Sequence, residues 1–76
     1  MEEWIALKAF YLNRCLCCGR VEAELLARGL MLVPDHVQPL VMGGMNDRSN
    51  IQPLCHGKGG CNNKKGPRHL DYRGAA

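Results

Sequence analysis

Four cysteines constrain the fold of this chain more than any other feature of its sequence. Cys15 and Cys18 form a Cys-x-x-Cys pair, and Cys55 and Cys61 form a second, wider pair. A chain of 76 residues buries little apolar surface, and domains of this size usually depend on a metal or on disulfides. We find neither an export signal nor an apolar run that could span a bilayer, and therefore expect a reducing, cytoplasmic compartment. In that compartment the four thiols predict one structural Zn²⁺ site that closes the span between the pairs.

Two residues beside these pairs leave alternatives open. Cys17 lies inside the first pair and is interpreted as a spare thiol, although it could replace Cys15 or Cys18 as a ligand. His56 directly follows Cys55 and could replace a neighbouring cysteine. Because both pairs are intact, the sequence favours the four-cysteine set.

Residues 2–13 predict a helix that packs on the rest of the molecule. They begin with two acidic residues, which suit the positive end of the helix dipole, and contain neither glycine nor proline. We interpret the apolar face of this helix as packing on the zinc-held body and supplying most of its core. A partner-binding or dimerising helix is the alternative. The face consists of Trp4, Leu7 and Tyr11, with Ile5, Ala9 and Leu12 on an adjoining stripe.

The remainder of the chain predicts short elements separated by turn residues. Residues 21–28 have helical propensity and are followed by Gly29. Two apolar runs predict strands, and we expect Pro34 to end the pairing of the first and Pro53 to interrupt the second. The predicted order is a helix at 21–28, a strand at 30–33, a loop at 39–46, a helical turn at 47–50, a strand at 51–54 and a helix at 61–65 that stops before Gly66 and Pro67.

A set of short motifs spans the two predicted strands and the last helix. It consists of Asp35-His36 followed by Pro39, Gly43-Gly44, Asn50-Ile51, Leu54-Cys55 and Cys61-Asn62 followed by Lys65. In this order and spacing the residues resemble the signature of the HNH nucleases of the ββα-metal superfamily, over residues 15–65. The resemblance implies a small α+β fold, namely a zinc-stapled ββα-metal core with an N-terminal helix. It also implies a single nuclease domain over residues 1–76, with a helix at 1–14, the core at 15–66 and a tail at 67–76.

Four residues of the signature carry the activity that the resemblance implies, the metal-dependent hydrolysis of DNA phosphodiesters. His36 would be the general base, since an imidazole changes its protonation state near neutral pH. Asp35 and the side-chain carbonyl of Asn62 would bind the catalytic ion, because Mg²⁺ and Mn²⁺ prefer oxygen ligands. Asn50 would hold the backbone around His36 in place without touching the substrate.

Three features depart from the pattern of most relatives. Asn62 stands where the family name expects histidine, and Gly66 stands where some relatives carry a second helix histidine. Both departures disfavour a histidine-rich, zinc-type catalytic site and favour Mg²⁺ or Mn²⁺. Between Cys55 and Cys61, the segment His-Gly-Lys-Gly-Gly is three residues longer than in most relatives, and its glycines make the longer loop feasible.

Positive charge is concentrated in the last part of the chain. Residues 1–47 hold four Lys/Arg and six Asp/Glu, a net −2, whereas residues 48–76 hold six Lys/Arg and one Asp, a net +5. Because phosphate contacts need local positive charge, we predict contacts to DNA phosphates from this region, with an ordinary solvated surface as the alternative. The predicted contacts are Lys64, Lys65, Arg68 and Arg48.

DNA is the partner that the resemblance implies, and a single site of this kind cuts one strand. A monomer is therefore expected to nick, and cutting of both strands would need a dimer or a second event. Similar small HNH proteins are often phage-encoded and work beside the DNA-packaging terminase, which implies the cytoplasm of a bacterium or of a phage-infected host. The alternatives are a non-catalytic, zinc-dependent DNA-binding module and a terminase-accessory protein. No membrane partner is expected, and the oligomeric state is predicted to be a monomer or a weak dimer.

Overall fold

A two-stranded sheet with three short helices around it forms the fold of residues 2–75, the part of the chain that the computed structural model describes. In chain order the elements are α1 (Glu2–Phe10), α2 (Glu22–Ala27), β1 (Met31–His36), β2 (Ile51–His56) and α3 (Cys61–Lys65), with short 3₁₀ turns at Leu40–Met42, Arg48–Asn50 and Arg73–Ala75. The β1–β2–α3 order is the predicted ββα arrangement, and the α+β class is confirmed. Met1 and Ala76, the outer limits of the predicted domain, lie outside the described residues.

The two strands pair antiparallel over their full length, and two prolines lie opposite each other in the middle. The register runs from Met31 opposite His56 to His36 opposite Ile51, with Pro34 opposite Pro53. The expectations that Pro34 ends the pairing and that Pro53 interrupts β2 were therefore wrong. In an antiparallel ladder, residue pairs that exchange backbone hydrogen bonds alternate with pairs that do not. Proline has no N–H group, so two prolines opposite each other at a pair of the second kind cost the ladder no hydrogen bond.

Helix α1 packs on the body through one face, as its apolar stripe predicts. Leu7 is buried, and Trp4 packs against the central cluster. The helix ends at Phe10 and not at residue 13, because Leu12 (φ 62°) and Asn13 (φ 51°) adopt left-handed conformations that cannot continue a right-handed helix. The packing interpretation is thus confirmed for Trp4, Leu7 and Tyr11, whereas Ile5, Ala9 and Leu12 of the adjoining stripe are exposed, and the helix is three residues shorter than predicted.

The apolar core does not come mainly from α1, contrary to our expectation. Its buried members come from the first cysteine pair, α2 and both strands, namely Cys15, Leu16, Leu25, Leu32, Leu54 and Cys55. Thiols and leucine side chains therefore share one cluster, and any change in the bonding of the thiols acts directly on core packing.

The short helices and turns lie where turn chemistry predicts them. Helix α2 is followed by Gly29 with φ of 77°, and α3 spans the predicted residues 61–65. The 3₁₀ turn Arg48–Asn50 is capped by Asp47, whose Oδ1 accepts a hydrogen bond of 2.9 Å from the backbone N–H of Ser49. Within residues 2–75, no helix is both long and apolar enough to cross a membrane.

The Val41 loop, residues 39–46, connects the strands and needs both of its glycines. Gly43 has φ of 87°, a left-handed conformation that glycine adopts without strain. Gly44 is required by space, because a Cβ at this position would overlap the carbonyl oxygen of Gln38 and crowd the side chain of Asn50. The glycine pair of the sequence signature thus shapes the loop that follows the candidate catalytic residues.

Candidate metal centres and active site

The structure brings the four predicted thiols together from three segments of the chain. Cys15 and Cys18 lie before α2, Cys55 lies near the end of β2, and Cys61 begins α3. Their Sγ atoms all lie within 4.8 Å of one another. A tetrahedral Zn²⁺ with Zn–S bonds of about 2.3 Å needs S···S separations of about 3.8 Å, so a small contraction of this cluster is sufficient. The cluster fits a structural metal such as zinc.

Backbone N–H groups already point at these sulfurs. The N–H of Cys55 donates to Sγ of Cys15 (3.4 Å), and the N–H of Cys61 donates to Sγ of Cys55 (3.3 Å). Such bonds stabilise the thiolate form, which is the form that binds a metal. The local backbone therefore prepares the cluster for a cation.

The thiols of the cluster differ in how easily they ionise. Burial raises the pKa of Cys15 and of Cys61, and a hydrogen bond with the side chain of Cys17 adds to the effect at Cys61. Burial also acts on Cys18, but hydrogen bonds led by one from the backbone of Arg20 outweigh it and lower the pKa of this thiol to about 7. Of these three thiols, Cys18 is the most readily available as a thiolate near neutral pH, and binding of a metal must displace protons from Cys15 and Cys61.

Neither of the two alternative ligands belongs to the four-sulfur cluster, although the side chain of Cys17 forms a hydrogen bond with one of its members, Cys61. Cys17 is exposed and is not part of the four-sulfur cluster. His56 is exposed at the end of β2, and its Nδ1 lies 3.1 Å from Oδ1 of Asn62. The structure thus directs His56 towards the candidate active site and away from the sulfurs.

Asp35 and Asn62 meet at the junction of β1 and α3. Nδ2 of Asn62 donates a hydrogen bond of 2.9 Å to Oδ1 of Asp35, although the residues are 27 positions apart. A half-turn of the amide would place its oxygen at that same separation from the carboxylate. Two oxygens bound side by side to an octahedral Mg²⁺ at 2.0–2.1 Å are also about 2.9 Å apart. The pair therefore fits two ligands of a small, hard cation.

Two buried residues contact Asp35: Gln52, which was not predicted as part of the site, and Lys65, which was predicted as a phosphate contact. Gln52 is fully buried, and its Nε2 donates to Oδ2 of Asp35 (2.8 Å) and to the carbonyl oxygen of Leu70 (2.8 Å). Nζ of Lys65 lies 3.4 Å from Oδ2 of Asp35 and donates to the backbone oxygen of His36 (3.0 Å). Lys65 therefore offsets the buried charge of Asp35, which is only 5% exposed, and holds the Asp35-His36 dipeptide from below.

Replacing Lys65 by alanine is expected to destabilise the fold by about 3–5 kcal/mol, because the buried carboxylate of Asp35 loses its charged partner. Lys64→Ala is the matched control, since Lys64 is the preceding residue of the same helix and is exposed. Urea unfolding of the zinc-loaded proteins measures the difference. Equal unfolding midpoints for the two variants would contradict the assigned role of Lys65.

His36 lies at the end of β1, where a second side chain orients its ring. Nε2 of His36 lies 2.8 Å from Oδ1 of Asn46. An amide oxygen only accepts hydrogen bonds, so Nε2 donates in this contact, and in the neutral ring Nδ1 is then the nitrogen that can accept a proton. Asn46 was not predicted to contact His36, since a contact across a loop leaves no local pattern in the sequence.

Asn50 joins the two ends of the loop around His36 with three hydrogen bonds. Its Nδ2 donates to the backbone oxygens of Gln38 (2.9 Å) and Met45 (2.8 Å), and its Oδ1 accepts from the N–H of Gln38 (2.9 Å). These contacts are the kind that the sequence resemblance implies for this residue. All three hydrogen bonds of its side chain go to backbone atoms of the loop, and none goes to Asp35 or Asn62.

Three of the four residues predicted to contact phosphates lie at the surface, and Lys65 does not. Lys65 is 2% exposed and bound to Asp35 and His36, so we correct its assignment to a buried partner of the site. Lys64 and Arg48 are exposed. Arg68 is exposed but also donates to the carbonyl oxygens of Lys64 (2.8 Å) and Lys65 (2.9 Å), which stabilises the end of α3.

Fold and site together define a class of small ββα proteins, stapled by a four-cysteine cluster and carrying an Asp–Asn pair beside a histidine. The family model for the HNH endonuclease matches residues 15–68, which is more than half of the chain. The chain belongs to the HNH endonuclease family, and its cysteine cluster fits the zinc-stapled type. Searches of curated proteins and of solved structures gave no match.

Proposed function

We propose that this protein is a metal-dependent DNA endonuclease that nicks duplex DNA. The observation that supports it most is the hydrogen bond of 2.9 Å between Nδ2 of Asn62 and Oδ1 of Asp35, the residue that precedes His36. The chain that carries this contact belongs to a nuclease family. A bound Mg²⁺ or Mn²⁺ would neutralise charge on the scissile phosphate and stabilise the departing oxygen. The two side chains would hold that ion with their oxygens, while Gln52 and Lys65 keep the carboxylate fixed.

In this proposal His36 is the general base. Its Nδ1 would accept a proton from the attacking water, while Asn46 holds the opposite ring nitrogen. Asn50 would act as a positioning residue, because it fixes the backbone on both sides of the loop and so limits the motion of His36.

Lys64, Arg68 and Arg48 are the proposed phosphate contacts. All three are exposed and lie in residues 48–76, the part of the chain with a net charge of +5. Phosphate contacts orient DNA without reading its sequence, so we propose no sequence preference. A monomer with one site would cut one strand, and a reducing cytoplasm, bacterial or phage-infected, would keep the four thiols available for Zn²⁺.

Nicking of supercoiled plasmid tests this proposal. The zinc-loaded protein is expected to nick when Mg²⁺ or Mn²⁺ is added and to be inactive when both are omitted. Omission is preferable to a chelator, because a chelator could also remove the structural zinc and unfold the protein. Zinc content is measured before and after the assay.

Asn62→Ala is expected to require a higher Mg²⁺ concentration and to nick at least about tenfold more slowly, because one of two oxygen ligands is lost. Asn63→Ala is the matched control, since Asn63 is the next residue of α3 and its Oδ1 accepts only from the N–H of Gly57 in the loop before the helix. The same plasmid assay, run as a Mg²⁺ titration, gives the comparison. Nicking that is independent of added metal, or unchanged in Asn62→Ala, would contradict the proposed site.

A second candidate is a non-catalytic, zinc-dependent DNA-binding or terminase-accessory protein. Ile5, Phe10 and Leu12 favour the accessory role, because they are exposed apolar residues at and just beyond α1 and could form part of a larger contact surface for another protein. This candidate predicts DNA binding or partner binding without nicking under any metal condition. The plasmid assay therefore separates it from the proposed nuclease.

A further inference from the structure

The Val41 loop presents four exposed apolar side chains within eight residues. Val41 is 85% exposed, and Leu40, Met42 and Met45 are each more than half exposed. Single exposed apolar residues are ordinary on protein surfaces, but a cluster on one short loop indicates a contact surface.

The loop is held in shape by backbone contacts and not by its apolar side chains. Asn50 bonds to the backbone of Gln38 and of Met45, and Nε2 of Gln38 donates to the carbonyl oxygen of Met42 (2.7 Å). Gly44 packs against the backbone of Gln38. The apolar tip is thus presented to solvent on a pre-organised loop, which lowers the entropic cost of inserting it into a partner.

The loop also borders the candidate active site. Asn46 belongs to it and bonds to the ring of His36, and Arg48 follows it as an exposed cation. A DNA strand whose phosphate approached His36 would therefore pass the end of the loop that carries Asn46.

The size of this surface indicates what it can contact. Four side chains cannot supply the about 800 Å² per partner that a stable protein interface buries. Apolar side chains on a protruding loop do fit between adjacent base pairs, where such wedges partly unstack and bend a duplex. We infer that the Val41 loop inserts its apolar tip between base pairs of duplex DNA, next to the bond that His36 attacks. This inference rests on the proposed nuclease function and assigns the substrate as duplex DNA that the protein itself distorts.

Val41→Ser in the full-length, zinc-loaded protein tests the inference. Val21→Ser is the matched control, because it makes the same change at an exposed valine that precedes α2, away from the loop. Duplexes carrying the fluorescent base 2-aminopurine report unstacking, measured without added Mg²⁺ or Mn²⁺ so that the DNA stays intact. Wild type and Val21→Ser are expected to raise the fluorescence, and Val41→Ser is expected to lose most of this rise.

Nicking provides the second readout. Val41→Ser is expected to nick an intact duplex about tenfold more slowly or worse, the loss expected when a buried valine side chain is replaced by a polar one. On a duplex with an unpaired bulge, which is already unstacked, its rate is expected to return to within about threefold of the wild type. A purely structural role of Val41 would slow both substrates equally.

The outcomes separate this inference from the proposed function. Nicking by the wild type without any fluorescence change supports the proposed nuclease function and contradicts the insertion of the Val41 loop between base pairs. A fluorescence rise that Val41→Ser loses, in a protein that never nicks, supports the wedge and overturns the nuclease. If Val41→Ser matches the wild type on DNA but loses self-association in sedimentation experiments, the loop binds a second copy of the chain and the wedge is overturned.

Discussion

Cys55→Ser is expected to abolish tight metal binding and cooperative unfolding, whereas Cys17→Ser leaves both intact. Both substitutions replace a thiol by a hydroxyl of similar size, but only Cys55 belongs to the four-sulfur cluster. Because Cys55 is also buried in the core, its loss as a ligand acts on the part of the molecule where the strands and α2 meet.

The magnitudes explain why we expect unfolding and not only weakening. Binding of structural zinc contributes roughly 10–16 kcal/mol at pH 7 in small zinc domains. The net stability of a folded domain is only about 5–15 kcal/mol, and a chain of this size lies towards the lower end. The free energy lost when the metal is removed therefore exceeds the net stability that the apolar core can supply by itself.

Zinc content per chain, circular dichroism and urea unfolding measure this effect. The wild type is expected to hold one zinc and to unfold in one step, and to lose both properties when a strong chelator is added. Acidification acts in the same direction: hydrogen bonds lower the pKa of Cys18 to about 7, so below that pH protons compete with the metal for this sulfur and the affinity for zinc is expected to fall as the pH is lowered. A cooperatively folded, zinc-free Cys55→Ser protein would show that the core is sufficient without the metal.

His36→Ala is expected to lower the nicking rate by about 10²–10⁴-fold, the range that a positioned general base contributes. Because His36 is half-buried and its ring bonds only to Asn46 among the described side chains, the variant is expected to stay folded and to retain its zinc. His69→Ala is the matched control, as it removes an exposed histidine of the C-terminal segment.

Added imidazole distinguishes a base from a residue that only positions others. Imidazole is expected to restore part of the nicking by His36→Ala, since it can occupy the vacated space and accept the proton. It is not expected to restore Asn62→Ala, which lacks a ligand oxygen. Full activity of a folded His36→Ala would exclude this residue as the base, and loss of zinc by the variant would show a structural role instead.

Local patterns were sufficient for most elements of the fold and for the cysteine cluster. The spacing of glycine, asparagine and apolar residues predicted α2, the turn before β2 and α3, and the order of short motifs indicated the family. The cysteine pairs predicted a four-thiol cluster. These features depend on backbone preferences and on ligand chemistry. Both are properties of short sequence patterns and can therefore be recognised without knowledge of distant contacts.

Features that depend on distant contacts were missed or wrong. Lys65 was assigned to DNA because a lysine near a helix end is usually solvated, whereas it lies under Asp35 and is buried. Gln52 and Asn46 were not assigned to the site, because each reaches its partner only after the strands have paired. Pro34 and Pro53 were expected to limit the strand pairing, but they lie opposite each other within it, and this arrangement depends on the register of β1 and β2.

The sequence by itself determined that this chain is a ββα protein of the HNH family, with four cysteines that fit a structural metal such as zinc and with Asp35, His36 and Asn62 as candidate catalytic residues. The tertiary structure alone decided which polar groups support those residues and which cation stays at the surface. The physical reason is that a buried charge needs a partner from whichever element packs against it, and that choice depends on burial and register rather than on neighbours in the chain.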